Sequence, residues 1–128
     1  VRFVGTADPR PHYHAAHVFV LPSLSEGSSR AAGEAAASGL PLVVTTSSGT
    51  AHLVTKETGM LVPPRDPAAL AAALETLASD ESARAARGHV ARARAEQFSF
   101  QAFSARIAEI VDQRMAERSS PNGPRSSS

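Results

Sequence analysis

Three consecutive segments decide the fold: His17-Val18-Phe19-Val20-Leu21, then Arg30-Ala31-Ala32-Gly33-Glu34-Ala35-Ala36-Ala37-Ser38-Gly39, then Leu40-Pro41-Leu42-Val43-Val44-Thr45. The first and third are nearly continuous in apolar residues and do not alternate. That pattern belongs to strands covered on both faces, hence to a parallel sheet flanked by helices. The middle segment is rich in Ala and ends at a Gly, as a short helix with a glycine cap does. Strand, helix, strand in about 30 residues is a βαβ crossover.

Working outward, Phe3-Val4 and Met60-Leu61-Val62 add two further short strands. Asp66 can cap a helix whose first residue is Pro67, where a missing N–H costs nothing. Leu70, Ala73, Leu74 and Leu77 supply its apolar stripe. Asp80 opens an Ala- and Arg-rich helix to about Gln97, which Gly88 weakens slightly. Ser99 can cap a third helix, with Phe100, Phe103, Ile107, Ile110 and Val111 on one wide apolar face. Residues 1–118 then make one α/β unit, and Ser119 to Ser128 reads as a disordered tail of Ser, Pro and Gly.

Composition narrows the function. The chain of 128 residues is 42% apolar and 20% charged, with net charge +1 from 13 Lys and Arg against 12 Asp and Glu. That balance gives no electrostatic footprint for nucleic acid. The cysteine count of zero removes thiolate nucleophiles, disulfides and Cys-type zinc sites. No apolar run approaches 18 residues, so no membrane-spanning helix is expected. The opening Val1-Arg2-Phe3-Val4 reads as a strand and not as a signal peptide. It lacks Met, so an internal piece of a longer protein is the expectation. A serine hydrolase lacks its Gly-x-Ser-x-Gly elbow. A P-loop enzyme lacks its glycine-rich loop, and the only lysine is Lys56.

The chemistry concentrates in Leu21-Pro22-Ser23-Leu24-Ser25-Glu26-Gly27-Ser28-Ser29-Arg30, followed by Glu34. A buried strand ends, a small polar loop follows, and a helix begins near Ser29. Ligands of open α/β sheets bind at such carboxyl-end loops. The unpaired N–H groups of a helix start, together with its dipole, favour a phosphate. Gly27, Ser28 and Ser29 are small enough for an anion to reach their backbone. Glu34 would lie roughly 7–8 Å further along the axis. There its carboxylate would repel a phosphate but could accept two hydroxyl hydrogen bonds from a ribose. Glu26 could do the same for a second polyol across the phosphates. Two loop or helix glutamates at this spacing also arise as plain solvated residues.

In chain order the motifs read Val1-Arg2-Phe3-Val4-Gly5, Tyr13-His14-Ala15-Ala16-His17, Leu21-Pro22-Ser23, Glu26 to Glu34, Ala37-Ser38-Gly39-Leu40-Pro41-Leu42-Val43, Thr58-Gly59-Met60-Leu61-Val62-Pro63-Pro64, and Phe98-Ser99-Phe100. The set resembles the donor-binding C-terminal domain of the group 1, family 4 glycosyltransferases, retaining enzymes of the GT-B fold. The resemblance implies a Rossmann-like parallel sheet with flanking helices, forming part of that domain. It implies a nucleotide-diphosphate sugar as donor substrate, no other cofactor, and metal-independent transfer. Glu34 would hold the nucleotide ribose and Glu26 would lie against the donor sugar as the catalytic residue. The backbone of Gly27, Ser28 and Ser29 would face the diphosphate. The implied partners are the donor, an unassigned acceptor and an N-terminal acceptor domain outside this chain. The implied location is cytoplasmic, with peripheral contact at the inner membrane face.

Two departures stand out. The family usually has Gly-Phe-Gly after the first Glu, whereas this chain has Gly27-Ser28-Ser29-Arg30. Its Gly-Gly-x-Pro-Glu stretch reads Ser48-Gly49-Thr50-Ala51-His52, which makes His52 a donor-binding candidate. The first βα unit of the family's domain, which brings an Arg and a Lys to the diphosphate, precedes Val1. Arg30 is either a partial substitute for that charge or a solvated helix-start residue. His12 and His14 stand two residues apart on a segment that reads as helix, where such side chains diverge, and His17 begins a strand, so the three make a poor metal site. His89 and the run Arg84, Arg87, Arg92 and Arg94 read as solvated. The rival to an enzyme is a stand-alone binding module that keeps the fold and nucleotide affinity without catalysis.

Overall fold

A computed structural model describes residues 1–119, without the side chains of residues 100–103 and 118–119. Three strands, β1 (Phe19–Leu21), β2 (Leu42–Thr45) and β3 (Gly59–Val62), form one parallel sheet in that order. Phe19 stands opposite Leu42, and Leu42 opposite Gly59. Helices α1 (Arg10–Ala15), α2 (Arg30–Ala37), α3 (Pro67–Ser79) and α4 (Glu81–Gln97) surround the sheet. The α/β, Rossmann-like arrangement expected from the aliphatic runs is therefore present.

Every residue of β2 is buried. Leu42 and Val44 face a cluster with Ala35 and Ala36 of α2, Ala91 of α4, and Leu53 and Val54. Val43 faces the opposite side with Val62, Ala73 and Leu77, so α3 covers that face. A strand sandwiched in this way has no polar face to display, which is why its sequence does not alternate. On α2 the inward residues are Ala32, Ala35 and Ala36. Their short side chains bring the helix axis close to the sheet.

The helix ends follow the sequence. Asp66 accepts from the Ala69 N–H at 2.9 Å, and Asp80 from the Ala83 N–H at 2.9 Å. Helix α2 closes in a Schellman turn: Leu40 N–H donates to the Ala35 carbonyl, Gly39 N–H to Ala36, and Gly39 has φ +82°. Gly88 is more than a weak point in α4. A Cβ there would collide with the carbonyl oxygen of Gly39, so the glycine is what lets α4 touch the α2–β2 turn.

Two expectations are corrected. Val1-Arg2-Phe3-Val4 forms no strand; it has no pairing partner among the described residues, and Val1, Phe3 and Val4 are exposed. An extended segment becomes a strand only by pairing. The arginines of α4 are not merely solvated. Arg84 donates to the Leu77 carbonyl at 3.1 Å, Arg87 to Lys56 at 3.4 Å and Arg94 to His52 at 2.8 Å. They pin the helix to the end of α3 and to the segment between β2 and β3, while Arg92 pairs with Glu96 on its own helix. His89 is exposed as expected.

Helix α5 (Phe100–Ser119) belongs to a second unit and is described by itself. Ile107, Ile110, Val111 and Met115 are exposed on it. The side chains of Phe100 and Phe103, and the expected tail beyond Ser119, lie outside the described residues.

Candidate functional site

The loop after β1 is held by its main chain. Ser23 carbonyl accepts from Thr45 Oγ1 at 2.6 Å and from Ser47 Oγ at 3.1 Å, tying the carboxyl ends of β1 and β2 together. Glu26 forms a parallel bridge with Ser48, and its carbonyl accepts the Gly49 N–H at 2.8 Å. Gly49 lies so close to the backbone of Gly27 and Ser28 that a Cβ there would sit 2.9 Å from Gly27 C. The loop after β2 thus forms the floor beneath Gly27 and Ser28.

At the start of α2 the structure corrects one expectation. Ser29 is buried, and its N–H is not presented to a ligand. It donates to Thr50 Oγ1 at 2.8 Å, while the Ser29 hydroxyl accepts from the Ala32 N–H at 3.3 Å as the N-cap. The physical reason is that a buried amide must find an acceptor, and Thr50, itself fully buried, supplies one. The N–H groups of Gly27, Ser28, Arg30 and Ala31 form no hydrogen bond among the described residues. Gly27 and Ser28 are exposed. The open cradle therefore consists of these four amides, without Ser29.

Two carboxylates flank it. Glu26 is exposed and accepts from Ser23 Oγ at 2.7 Å through Oε2. Glu34 Oε2 accepts from the Tyr13 hydroxyl at 3.2 Å, and Oε1 from Arg30 Nη2 at 3.4 Å. The Arg30 side chain is otherwise open to solvent. Burial first, and then donation to the Glu34 carboxylate, push the Tyr13 hydroxyl above its ordinary pKa, so it stays protonated and donating. Glu34 and Arg30 line a cavity of about 470 Å³ between α1 and α2, together with Asp8, Arg10 and Tyr13. Asp8 is held below the ordinary carboxylate range by hydrogen bonds from Arg10.

His52 lies on a short turn (Ala51–Leu53) of the floor loop, and its Nδ1–H donates to the Gly49 carbonyl at 2.7 Å. It thus shares a segment with Thr50, which anchors α2. Among the described residues no three His, Cys, Asp or Glu side chains converge as metal ligands would. No helix among them is long and apolar enough to cross a membrane.

Sequence reasoning missed four features. Ser23 precedes Glu26 by three residues, a local spacing that could have signalled their bond. Thr50 and Tyr13 act across 21 residues each and leave no local signal. The fourth is a cavity of about 200 Å³ at the carboxyl ends of all three strands, where Arg65 carries a left-handed backbone at φ 59°.

Residues 1–80 match the family described as Glycosyl transferases group 1. The D-inositol 3-phosphate glycosyltransferase of Corynebacterium glutamicum (strain R) is 35% identical over 123 residues, covering 91% of this chain and 29% of the relative. The capsular polysaccharide biosynthesis glycosyltransferase CapM of Staphylococcus aureus is 38% identical over 91 residues, covering 70% of this chain and 24% of CapM. Among solved structures, sucrose-phosphate synthase from Thermosynechococcus elongatus superposes with a TM-score of 0.81 at 34% identity, over 91% of this chain and 30% of that one. Anabaena HepE, solved in complex with UDP, gives 0.76 at 26% identity over 84% of this chain and 30% of that one. The chain spans less than a third of the length of each of these proteins.

Proposed function

The chain belongs to the group 1 glycosyl transferases and carries part of their GT-B fold, and from that premise we propose that it is the portion that binds a nucleoside diphosphate sugar and supports transfer of the sugar with retention at the anomeric carbon. One observation carries the reading. Four uncommitted backbone amides at the start of α2 stand at the carboxyl edge of the parallel sheet, between two accessible carboxylates already oriented by hydroxyl donors. A diphosphate fits the amides and the helix dipole. A ribose diol fits Glu34, and the donor sugar fits Glu26.

In this proposal Arg30 supplies positive charge at the diphosphate, releasing its long 3.4 Å contact with Glu34 when the ligand arrives. His52 borders the sugar. The bond between the anomeric carbon and the diphosphate breaks, and the acceptor oxygen bonds to the same face while its proton leaves with the departing nucleotide. The UDP held by the HepE neighbour supports a nucleoside diphosphate as the bound product. In the same proposal the acceptor is held by a further domain of the kind the longer relatives have room for, and the 128 residues alone are expected to bind without transferring. A cytoplasmic location, with peripheral contact at the inner membrane face, is part of the same proposal.

The test is titration of the native protein and its Glu34→Ala variant with UDP, ADP and GDP by calorimetry. Losing a charged acceptor costs about 2–3 kcal/mol, a rise in Kd of roughly 30- to 150-fold. An unchanged Kd for the nucleotide that binds best would overturn the ribose assignment.

A further inference from the structure

Resting on the ribose assignment above, we infer that Tyr13 is a positioning residue that fixes the Glu34 carboxylate for the two hydroxyls of the ribose. A carboxylate offers about four acceptor positions, two on each oxygen. Tyr13 takes one on Oε2 and Arg30 one on Oε1. With the Arg30 contact released on binding, Oε2 keeps one open position and Oε1 two, enough for a cis-diol with one donor on each hydroxyl. Without Tyr13 the carboxylate could rotate about its last torsion, which is broad and poorly defined in an unrestrained side chain.

The tyrosine is well placed for this work. Its own N–H donates to the Pro9 carbonyl at 3.0 Å, anchoring it in the first turn of α1. Its ring meets Phe19 of β1 edge-on at 6.4 Å between centroids, so its direction is set by the sheet. Tyr13 lines the cavity beside Glu34, and its hydroxyl meets the carboxylate there. Arg30, by contrast, is a solvent-open partner and restrains the carboxylate weakly.

The experiment uses the native full-length protein and measures Kd for UDP, ADP and GDP, then for the 2′,3′-dideoxy counterpart of whichever binds best. Tyr13→Phe keeps the ring and its contact with Phe19. It is expected to raise the Kd of the ribonucleotide about threefold to tenfold, the worth of one hydrogen bond. The dideoxy nucleotide should bind Tyr13→Phe and wild type alike. In a Glu34→Ala background Tyr13→Phe should add nothing, the mark of two residues acting as one unit. Equal weakening of both nucleotides, or a full additive loss on top of Glu34→Ala, would make Tyr13 merely structural and overturn the inference. So would an unchanged Kd. If Glu34→Ala itself leaves the preference for ribose intact, or none of the three nucleotides binds, the ribose assignment fails first and this inference falls with it.

Discussion

Thr50→Val isolates the bond that seats the start of α2. Thr50 is fully buried, and its Oγ1 accepts the buried Ser29 N–H at 2.8 Å. Valine keeps the volume and the branched β-carbon, so little cavity opens, but the Ser29 amide loses its acceptor. Leaving such a group buried and unsatisfied costs about 1–3 kcal/mol. In a unit of this size that corresponds to a melting point lowered by on the order of 10 °C. Thr50→Ser keeps the acceptor and loses one methyl, at about 1 kcal/mol. Thermal unfolding followed by circular dichroism should therefore rank wild type, Ser and Val in falling order. Nucleotide titration should follow a different split, with Ser near wild type and Val weakened, because only Val releases the helix start from the floor loop. A Val variant as stable as the Ser variant would refute the reasoning.

The remaining predictions address packing, roles and charge. Gly88→Ala should lower the urea midpoint: overpacking against the Gly39 carbonyl costs about 1–3 kcal/mol, more than the gain of up to about 1 kcal/mol in helix propensity. Gly33→Ala has open space at its Cβ and should raise the midpoint by that propensity gain; the same sign for both would contradict the close approach of α4. Glu26→Ala should reduce the transfer rate of the full-length protein more than its affinity for the bare nucleoside diphosphate, and equal losses would place Glu26 at the nucleotide. Asp8 is paired with Arg10, so its folded pKa lies below the unfolded value; the pair's contribution is present above that unfolded value and fades as pH falls through the folded one. A carbon-detected NMR titration of the Asp8 carboxyl should give a midpoint below the ordinary aspartate range, and a midpoint within or above it would remove the pair in solution.

Much of the fold was legible because its signals are local. The non-alternating Leu42 to Val44, the capping Asp66 and Asp80 and the closing Gly39 each act within a few residues, and each stands where its chemistry suggests. Phe3-Val4 misled for the opposite reason: strand propensity is local, but a strand's existence depends on a partner elsewhere. Gly88 likewise read as a helix weakness because nothing nearby in sequence announces the Gly39 carbonyl. At the site, the placement of the two glutamates and of the open Gly27 and Ser28 amides followed from the strand–loop–helix order, whereas the sealing of the Ser29 amide did not. The long-range bonds of Tyr13 and Thr50 did not, since hydroxyls separated by 21 residues from their partners carry no periodicity.

The loop between β1 and α2 owes its position to the Glu26 carbonyl and the Ser29 amide, both main-chain groups, held by Gly49 and Thr50. The side chains of Glu26 and Ser28 contribute nothing to that anchorage beyond the Ser23 contact. Substitutions at these two positions are therefore nearly free of folding penalty, and inherited variation can collect there while the scaffold beneath stays unchanged. If the proposed donor site is right, a lineage can explore new donor sugars at this edge by single replacements, each one exposed to selection on chemistry alone.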